Sequence, residues 1–216
     1  MGTLRHFNLQ QFIQDFNCKF LVETGTYKGD SVDYAMQFGF DKIYSIELYD
    51  KLAIKAQEKF KKYKHIEIIH DSSSNGLKSI LDELDGNCIF WLDAHFPGSD
   101  LGEKGYNDEK DTCVNLPLLE ELKIISERVD KFDDVILIDD LRLFVDVPPD
   151  VQSAWRMNPH QGVDTFDNHM VRIGQREITR KSLVHFDLIK EIENLYGDYK
   201  ITELWRSEGY LIINKK

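Results

Sequence analysis

Cysteine is scarce in this chain, long apolar runs are missing and positive charge is in deficit. The three cysteines, Cys18, Cys88 and Cys113, are odd in number and have no Cys-x-x-Cys spacing, so neither a disulfide framework nor a zinc cluster is suggested. No apolar run approaches the roughly 20 residues of a membrane helix, so membrane partnership is not expected. Met1 to Gln14 has no apolar stretch followed by a small-residue cleavage site, and a cytoplasmic address is expected. With 27 basic against 38 acidic residues the net charge is -11, which repels phosphate backbones and argues against nucleic acid as a partner. There is no Gly-x-Gly-x-x-Gly pyrophosphate loop, which speaks against a nicotinamide-dependent oxidoreductase.

The composition itself is that of a soluble globule, 42% hydrophobic and 30% charged over 216 residues. Nothing in it suggests a linker, so residues 1–216 read as one domain, with 1–17 as an N-terminal helical segment. Short apolar runs at 19–22, 42–46, 65–69, 88–92 and 135–138 read as strands. The last two are continuous, as in a parallel sheet covered on both faces. Between them, Leu77, Ile80, Leu81 and Leu84, and then Leu118, Leu122, Ile125 and Val129, have helical spacing. Gly39 reads as a helix stop. A helix is expected from about Ser182 to Tyr196, then a hairpin of Lys200–Trp205 and Tyr210–Ile213. The fold class is therefore α/β: a Rossmann-like three-layer sandwich with a seven-stranded, mostly parallel sheet and one reversed strand in a C-terminal hairpin.

Each of the first five strands ends at or near an acidic residue: Glu23, Glu47, Asp71, Asp93 and Asp139. Ligands of open α/β sheets bind at those ends. The first turn, Glu23-Thr24-Gly25-Thr26-Tyr27-Lys28-Gly29-Asp30-Ser31, has two glycines that let backbone approach a ligand closely. Glu47 lies 24 residues after Glu23 and suits the two hydroxyls of a ribose, or else caps the next helix. Asp71-Ser72-Ser73 suits an adenine edge or a helix N-cap. Asp93, Asp139 and Asp140 are hard oxygen donors suited to Mg²⁺ or Mn²⁺, or simply strand ends. His95 can serve as a base, a metal ligand or a structural histidine.

Taken in order, Glu-x-Gly-x-Tyr-x-Gly-x-Ser at 23–31, Ser-Ile-Glu at 45–47, Asp71-Ser72, Leu92-Asp93 and Asp139-Asp140 resemble the class I S-adenosylmethionine-dependent methyltransferases. Within them the chain is most similar to the metal-dependent, catechol-type O-methyltransferases. The resemblance implies S-adenosylmethionine as cofactor, with Glu23, Thr24, Gly25, Tyr27, Gly29 and Ser31 around its methionine portion. It implies Glu47 at the ribose, Asp71 and Ser72 beside the adenine, and Asp93 between cofactor and catalytic centre. It also implies Asp93, Asp139 and Asp140 as ligands of Mg²⁺ or Mn²⁺, with Asp140 where the catechol enzymes commonly carry Asn. Their catalytic lysine has no counterpart, because Phe96 stands there; His95 is the nearest base, with Asp93 beside it.

The expected activity is methylation of a small-molecule acceptor bearing a hydroxyl, such as a sugar or saccharide intermediate. A non-catalytic ligand-binding module on the same fold is the other reading, and a homo-oligomer is compatible with either. Residues 147–181, with Pro148, Pro149, Pro159, His160 and His169, are expected to contact the acceptor. The acidic stretch Pro97 to Asp111 reads as a solvated loop.

Overall fold

The central strands of the sheet are built from residues whose alternate side chains bury on opposite faces. The computed structural model describes residues 3–95, 116–151, 182–206 and 209–216. Its strands are β1 (Cys18–Thr24), β2 (Lys42–Glu47), β3 (Ile66–His70), β4 (Asn87–Leu92), β5 (Val135–Ile138), β6 (Lys200–Leu204) and β7 (Tyr210–Asn214). Phe20, Val22, Tyr44, Ile46, Phe90, Leu92, Ile136 and Ile138 point to one layer of core. Leu21, Ile43, Ile89, Trp91, Val135 and Leu137 point to the other. Both faces being covered is the physical reason these strands read as unbroken apolar runs.

The helices are α1 (Leu9–Phe16), α2 (Asp30–Ala35), α3 (Asp50–Phe60), α4 (Ser73–Ile80), α5 (Leu118–Ser126) and α6 (Leu188–Tyr196). Leu77 and Ile80 of α4, Leu122 and Ile125 of α5, and Leu188 and Ile192 of α6 fill the first layer. Leu9 of α1, Val32 and Ala35 of α2, and Ala56 and Phe60 of α3 fill the second. The helical stretch expected in residues 1–17 is a 3₁₀ turn, Leu4–His6, followed by α1, which Asn17 ends in the left-handed conformation at φ 49°.

Strand order is β3-β2-β1-β4-β5-β7-β6. β1 pairs in parallel with both β2 and β4, β4 in parallel with β5, and β7 antiparallel to both β5 and β6. The hairpin inserts its second strand beside β5, so the one reversed strand is β7. The order reverses between β1 and β4, which places a crevice beyond their C-terminal ends.

Two helix boundaries differ from the sequence reading. The last helix begins at Leu188, because Asp187 caps it by accepting from Lys190 N. The residues expected to open that helix are held by tertiary bonds instead, Ser182 N to Asp146 Oδ1 and Leu183 N to Leu143 O. Gly39 is not the helix stop, since α2 ends at Ala35 and Met36 closes it in right-handed conformation. Residues 96–115 and 152–181, which hold the acidic loop and most of the expected acceptor segment, lie outside the described residues. Among the described residues no helix is long and apolar enough to cross a membrane.

At the far end of the sheet a buried ion pair anchors β4 and β5. Arg128 Nε donates to Asp134 Oδ2 at 2.8 Å, and its Nη1 and Nη2 donate to Leu84 O and Gly86 O at 2.7 Å each. Asp134 Oδ1 accepts Cys88 N at 2.7 Å. Cys18 and Cys88 are buried free thiols, and burial pushes the Cys18 thiol up to about 12.

Candidate functional site

The crevice is shaped by backbone before any side chain enters it. Gly25 has φ +87°, and a Cβ there would sit 2.7 Å from Asp93 O, so only glycine lets the tips of β1 and β4 close to this distance. Gly29, at φ +74°, faces the Phe60 ring, which a Cβ would meet at 2.6 Å. Between them Tyr27 also has positive φ, 48°. The turn is held from β2: Glu47 accepts Tyr27 N at Oε2 and Tyr49 N at Oε1, both at 2.8 Å.

Behind the turn Glu23 is 1% exposed. Ser45 Oγ donates to its Oε2, and Thr26 Oγ1 lies 2.6 Å from Ser45 Oγ. Burial pushes the Glu23 carboxyl up to about 8, against the opposing hydroxyls of Ser45 and Ser31, while Glu47 and Asp30 add to the rise. Burial also raises Glu47, and the N–H of Tyr27 works the other way.

Asp71 and Ser72 stand at the tip of β3 with the geometry of a helix cap. Asp71 Oδ1 accepts Ser72 N at 2.7 Å and Asn75 Nδ2 at 3.1 Å, and Ser72 Oγ accepts Asn75 N at 3.3 Å. This satisfies orphan donors of α4.

Asp93, His95, Asp139 and Asp140 come together beyond β4 and β5. The ladder carries on into both tips, Asp93 N to Thr24 O and Asp139 N to Leu92 O. Asp139 Oδ1 accepts Asp140 N at 2.7 Å, and Asp140 itself is left-handed at φ 51°, which swings its carboxyl back over the site. His95 Nε2 is bonded to Asp140 Oδ2 and lies 3.8 Å from Asp93 Oδ1. Arg142 Nη2 stands 3.4 Å from Asp140 Oδ1.

Electrostatics change the expectation for His95. Burial alone would depress its pKa, but Asp140, by charge and hydrogen bond, and then Asp93 and Asp139, lift it to about 10. The carboxylates around the ring thus favour the imidazolium over the neutral form that a general base needs. Asp93 is raised well above the usual carboxylate range by burial and by Asp139, with His95 opposing.

The same arrangement tests the expected metal set. Among the described residues no group of three His, Cys, Asp or Glu side chains is arranged to hold a metal ion. A protonated imidazole answers the carboxylate charge between Asp140 and Asp93, and one Asp139 oxygen is taken by backbone. In this arrangement His95 lies beside two of the three expected ligands, Asp140 and Asp93.

Four participants were given no role of their own by the sequence reading. Thr26 entered only as part of the first turn and Ser45 only as part of Ser-Ile-Glu, and Arg142 sits between Leu141 and Leu143. Glu121 of α5 is 1% exposed and lines a cavity with Asp93, His95 and Asp139. Its signal was a charge inside the Leu118–Leu122–Ile125 stripe.

No family model matches the chain, and no curated protein matches it. Solved structures do. The Podospora anserina methyltransferase PaMTH1, bound to S-adenosylhomocysteine, aligns at TM-score 0.52 with 17% identity over 95% of this chain and 75% of its own. An O-methyltransferase from Bacillus cereus, in complex with S-adenosylhomocysteine, aligns at 0.50 with 14% identity over 96% and 79%. A SAM-dependent methyltransferase from Archaeoglobus fulgidus aligns at 0.50 with 17% identity over 96% and 91%. The chain has the Rossmann-like fold of the S-adenosylmethionine-dependent methyltransferases, with its seven-stranded sheet and reversed β7.

Proposed function

We propose that the protein is an S-adenosylmethionine-dependent O-methyltransferase acting on a small hydroxylated acceptor of the sugar type. The observation that carries this reading is the crevice between β1 and β4, where Gly25 leaves no side chain and carboxylates rim the opening. Such a rim suits a cationic sulfonium, whereas it would repel a pyrophosphate. When bound, S-adenosylmethionine supplies an electrophilic methyl group on that sulfonium.

Glu23, Thr24, Gly25, Tyr27, Gly29 and Ser31 would surround the methionine portion. Glu47 would hold the ribose: a carboxylate has about four lone-pair sites, so the bonds from Tyr27 N and Tyr49 N leave room for a ribose hydroxyl. Asp71 and Ser72 would flank the adenine, with Asp71 Oδ1 already committed to the helix cap. Asp93, His95 and Asp140 would orient the acceptor hydroxyl and take its proton. The carboxylates around His95 favour its protonated form, so in this reading a carboxylate oxygen takes the proton. Asp93, Asp139 and Asp140 are the carboxylates that the resemblance makes metal ligands, and would hold Mg²⁺ or Mn²⁺ if the reaction uses one.

Isothermal titration with S-adenosylmethionine and S-adenosylhomocysteine tests the reading. Saturable heat with both, weakened at least about tenfold by Glu47→Ala, is the expected result. No binding at millimolar ligand would remove it.

A further inference from the structure

The turn after β1 is held from two sides, and the second hold comes from α3. Glu47 fixes its N–H side through Tyr27 N. Its carbonyl side faces Lys59, near the end of α3. Lys59 Nζ donates to Lys28 O at 2.8 Å, to Gly29 O at 3.4 Å and to Asp33 Oδ2 of α2 at 2.6 Å. An ammonium has three donors, and these bonds use all three. The next residue, Phe60, is buried, and its ring lies against Gly29 where a side chain would project. Two neighbouring residues of α3 thus give the turn a floor and a clasp.

A turn of this shape needs such a hold. Tyr27 and Gly29 are both left-handed, at φ 48° and 74°, and a residue other than glycine adopts that conformation at a cost. Gly29 N closes the turn on Thr26 O at 2.8 Å. A trans peptide is planar, so anchoring Lys28 O and Gly29 O on α3 fixes the planes of both peptides to which they belong. As an ion pair alone, Lys59 with Asp33 would count for little, since the two side chains are 38% and 41% exposed. The bonds to backbone carbonyls give the lysine its other role.

We propose that Lys59 is a positioning residue for the cofactor: by clasping Lys28 O and Gly29 O it holds the turn, before any ligand arrives, in the shape that receives the amino-acid portion of S-adenosylmethionine. The role rests on the methyltransferase reading above. A turn that is already formed spends no binding energy on being ordered, so loss of the clasp is felt in affinity more than in folding.

The test compares Lys59→Met, Lys59→Arg, Asp33→Asn and Lys62→Met with the wild type, by calorimetric titration of S-adenosylhomocysteine and by amide hydrogen exchange at Gly29. Lys59→Met should weaken binding about five- to tenfold and quicken exchange at Gly29 at least about fivefold. Its melting temperature should stay within about 3 °C of the wild type. Lys59→Arg keeps the donors and should bind within about threefold of the wild type. Asp33→Asn removes the ion pair but not the carbonyl bonds, and Lys62→Met removes an equal charge from an exposed position just beyond α3; both should stay within about twofold. The loss in Lys59→Met should persist at about 0.5 M salt, where a long-range charge effect is screened. Unchanged affinity in Lys59→Met, no recovery in Lys59→Arg, a loss that salt abolishes, or one that Asp33→Asn or Lys62→Met reproduces overturns the proposal. Faster exchange without weaker binding does so too, since it would make Lys59 a structural tie. Should Lys59→Met fail to fold, Lys59→Gln is read by the same criteria, and failure of both to fold also overturns the role. The two readings fail distinguishably: a wild type that binds no S-adenosylhomocysteine defeats the methyltransferase reading and this role with it, whereas wild-type binding with an indifferent Lys59→Met defeats only the positioning role.

Discussion

Replacing Glu23 with Gln should stabilise the free protein, and the gain should grow with pH. In the unfolded chain this carboxyl titrates near its ordinary 4.5; in the folded chain burial lifts it to about 8. Because the folded pKa is the higher one, the native state holds an extra proton between these values. The contribution of Glu23 is therefore fully present below about pH 4.5 and is lost as pH rises through about 8. The slope is about 1.4 kcal/mol per pH unit while the two states differ by one proton. Allowing for relaxation around the buried charge, the accumulated cost at pH 8 is on the order of 3 kcal/mol. Gln keeps an acceptor for Ser45 and carries no proton to lose. For a chain of this size 1 kcal/mol corresponds to about 2–4 °C, so Glu23→Gln should melt roughly 6–12 °C above the wild type at pH 8 and within about 2 °C of it at pH 5. Thermal unfolding followed by circular dichroism across that range gives the answer. A difference independent of pH, or one that shrinks as pH rises, would refute the burial argument.

Other perturbations probe other parts of the account. Arg128→Met should lower stability by about 3–5 kcal/mol in urea unfolding, because it strands Asp134 in the core, and adding Asp134→Asn should recover much of the loss. Gly25→Ala should lose more than about 2 kcal/mol, since it combines left-handed backbone with a Cβ driven against Asp93 O, and calorimetric affinity for S-adenosylhomocysteine should fall with it. A chelator should leave methyl transfer within about twofold of its untreated rate, because His95 already answers the charge of Asp140 and Asp93. Loss of turnover restored by Mg²⁺ would instead mean that the carboxylates rearrange around a metal.

The central strands were legible because they are covered on both faces, which leaves an apolar run in the sequence; β4 and β5 are the plainest cases. The acidic strand tips and the Gly25–Gly29 turn were legible for a related reason, as polar punctuation at fixed places in an alternating pattern. What the sequence concealed depends on contacts between distant segments. Leu183 joins Leu143 rather than the helix that follows it, and that bond cannot be read from local periodicity. The upward pKa shift of His95 depends first on Asp140, 45 residues away and in left-handed conformation. Glu121 was hidden by its own helix, where one charge in an apolar stripe reads as an ordinary solvated position until the sheet closes over it.

A crystal of the protein grown with S-adenosylhomocysteine bears on the central claim most directly. The account predicts density for the nucleoside along the ends of β1, β2 and β4, with its ribose hydroxyls on Glu47 and its amino-acid portion over the Gly25–Gly29 turn. Density confined to another part of the surface, or side chains of the protein filling that crevice in the crystal, would contradict it.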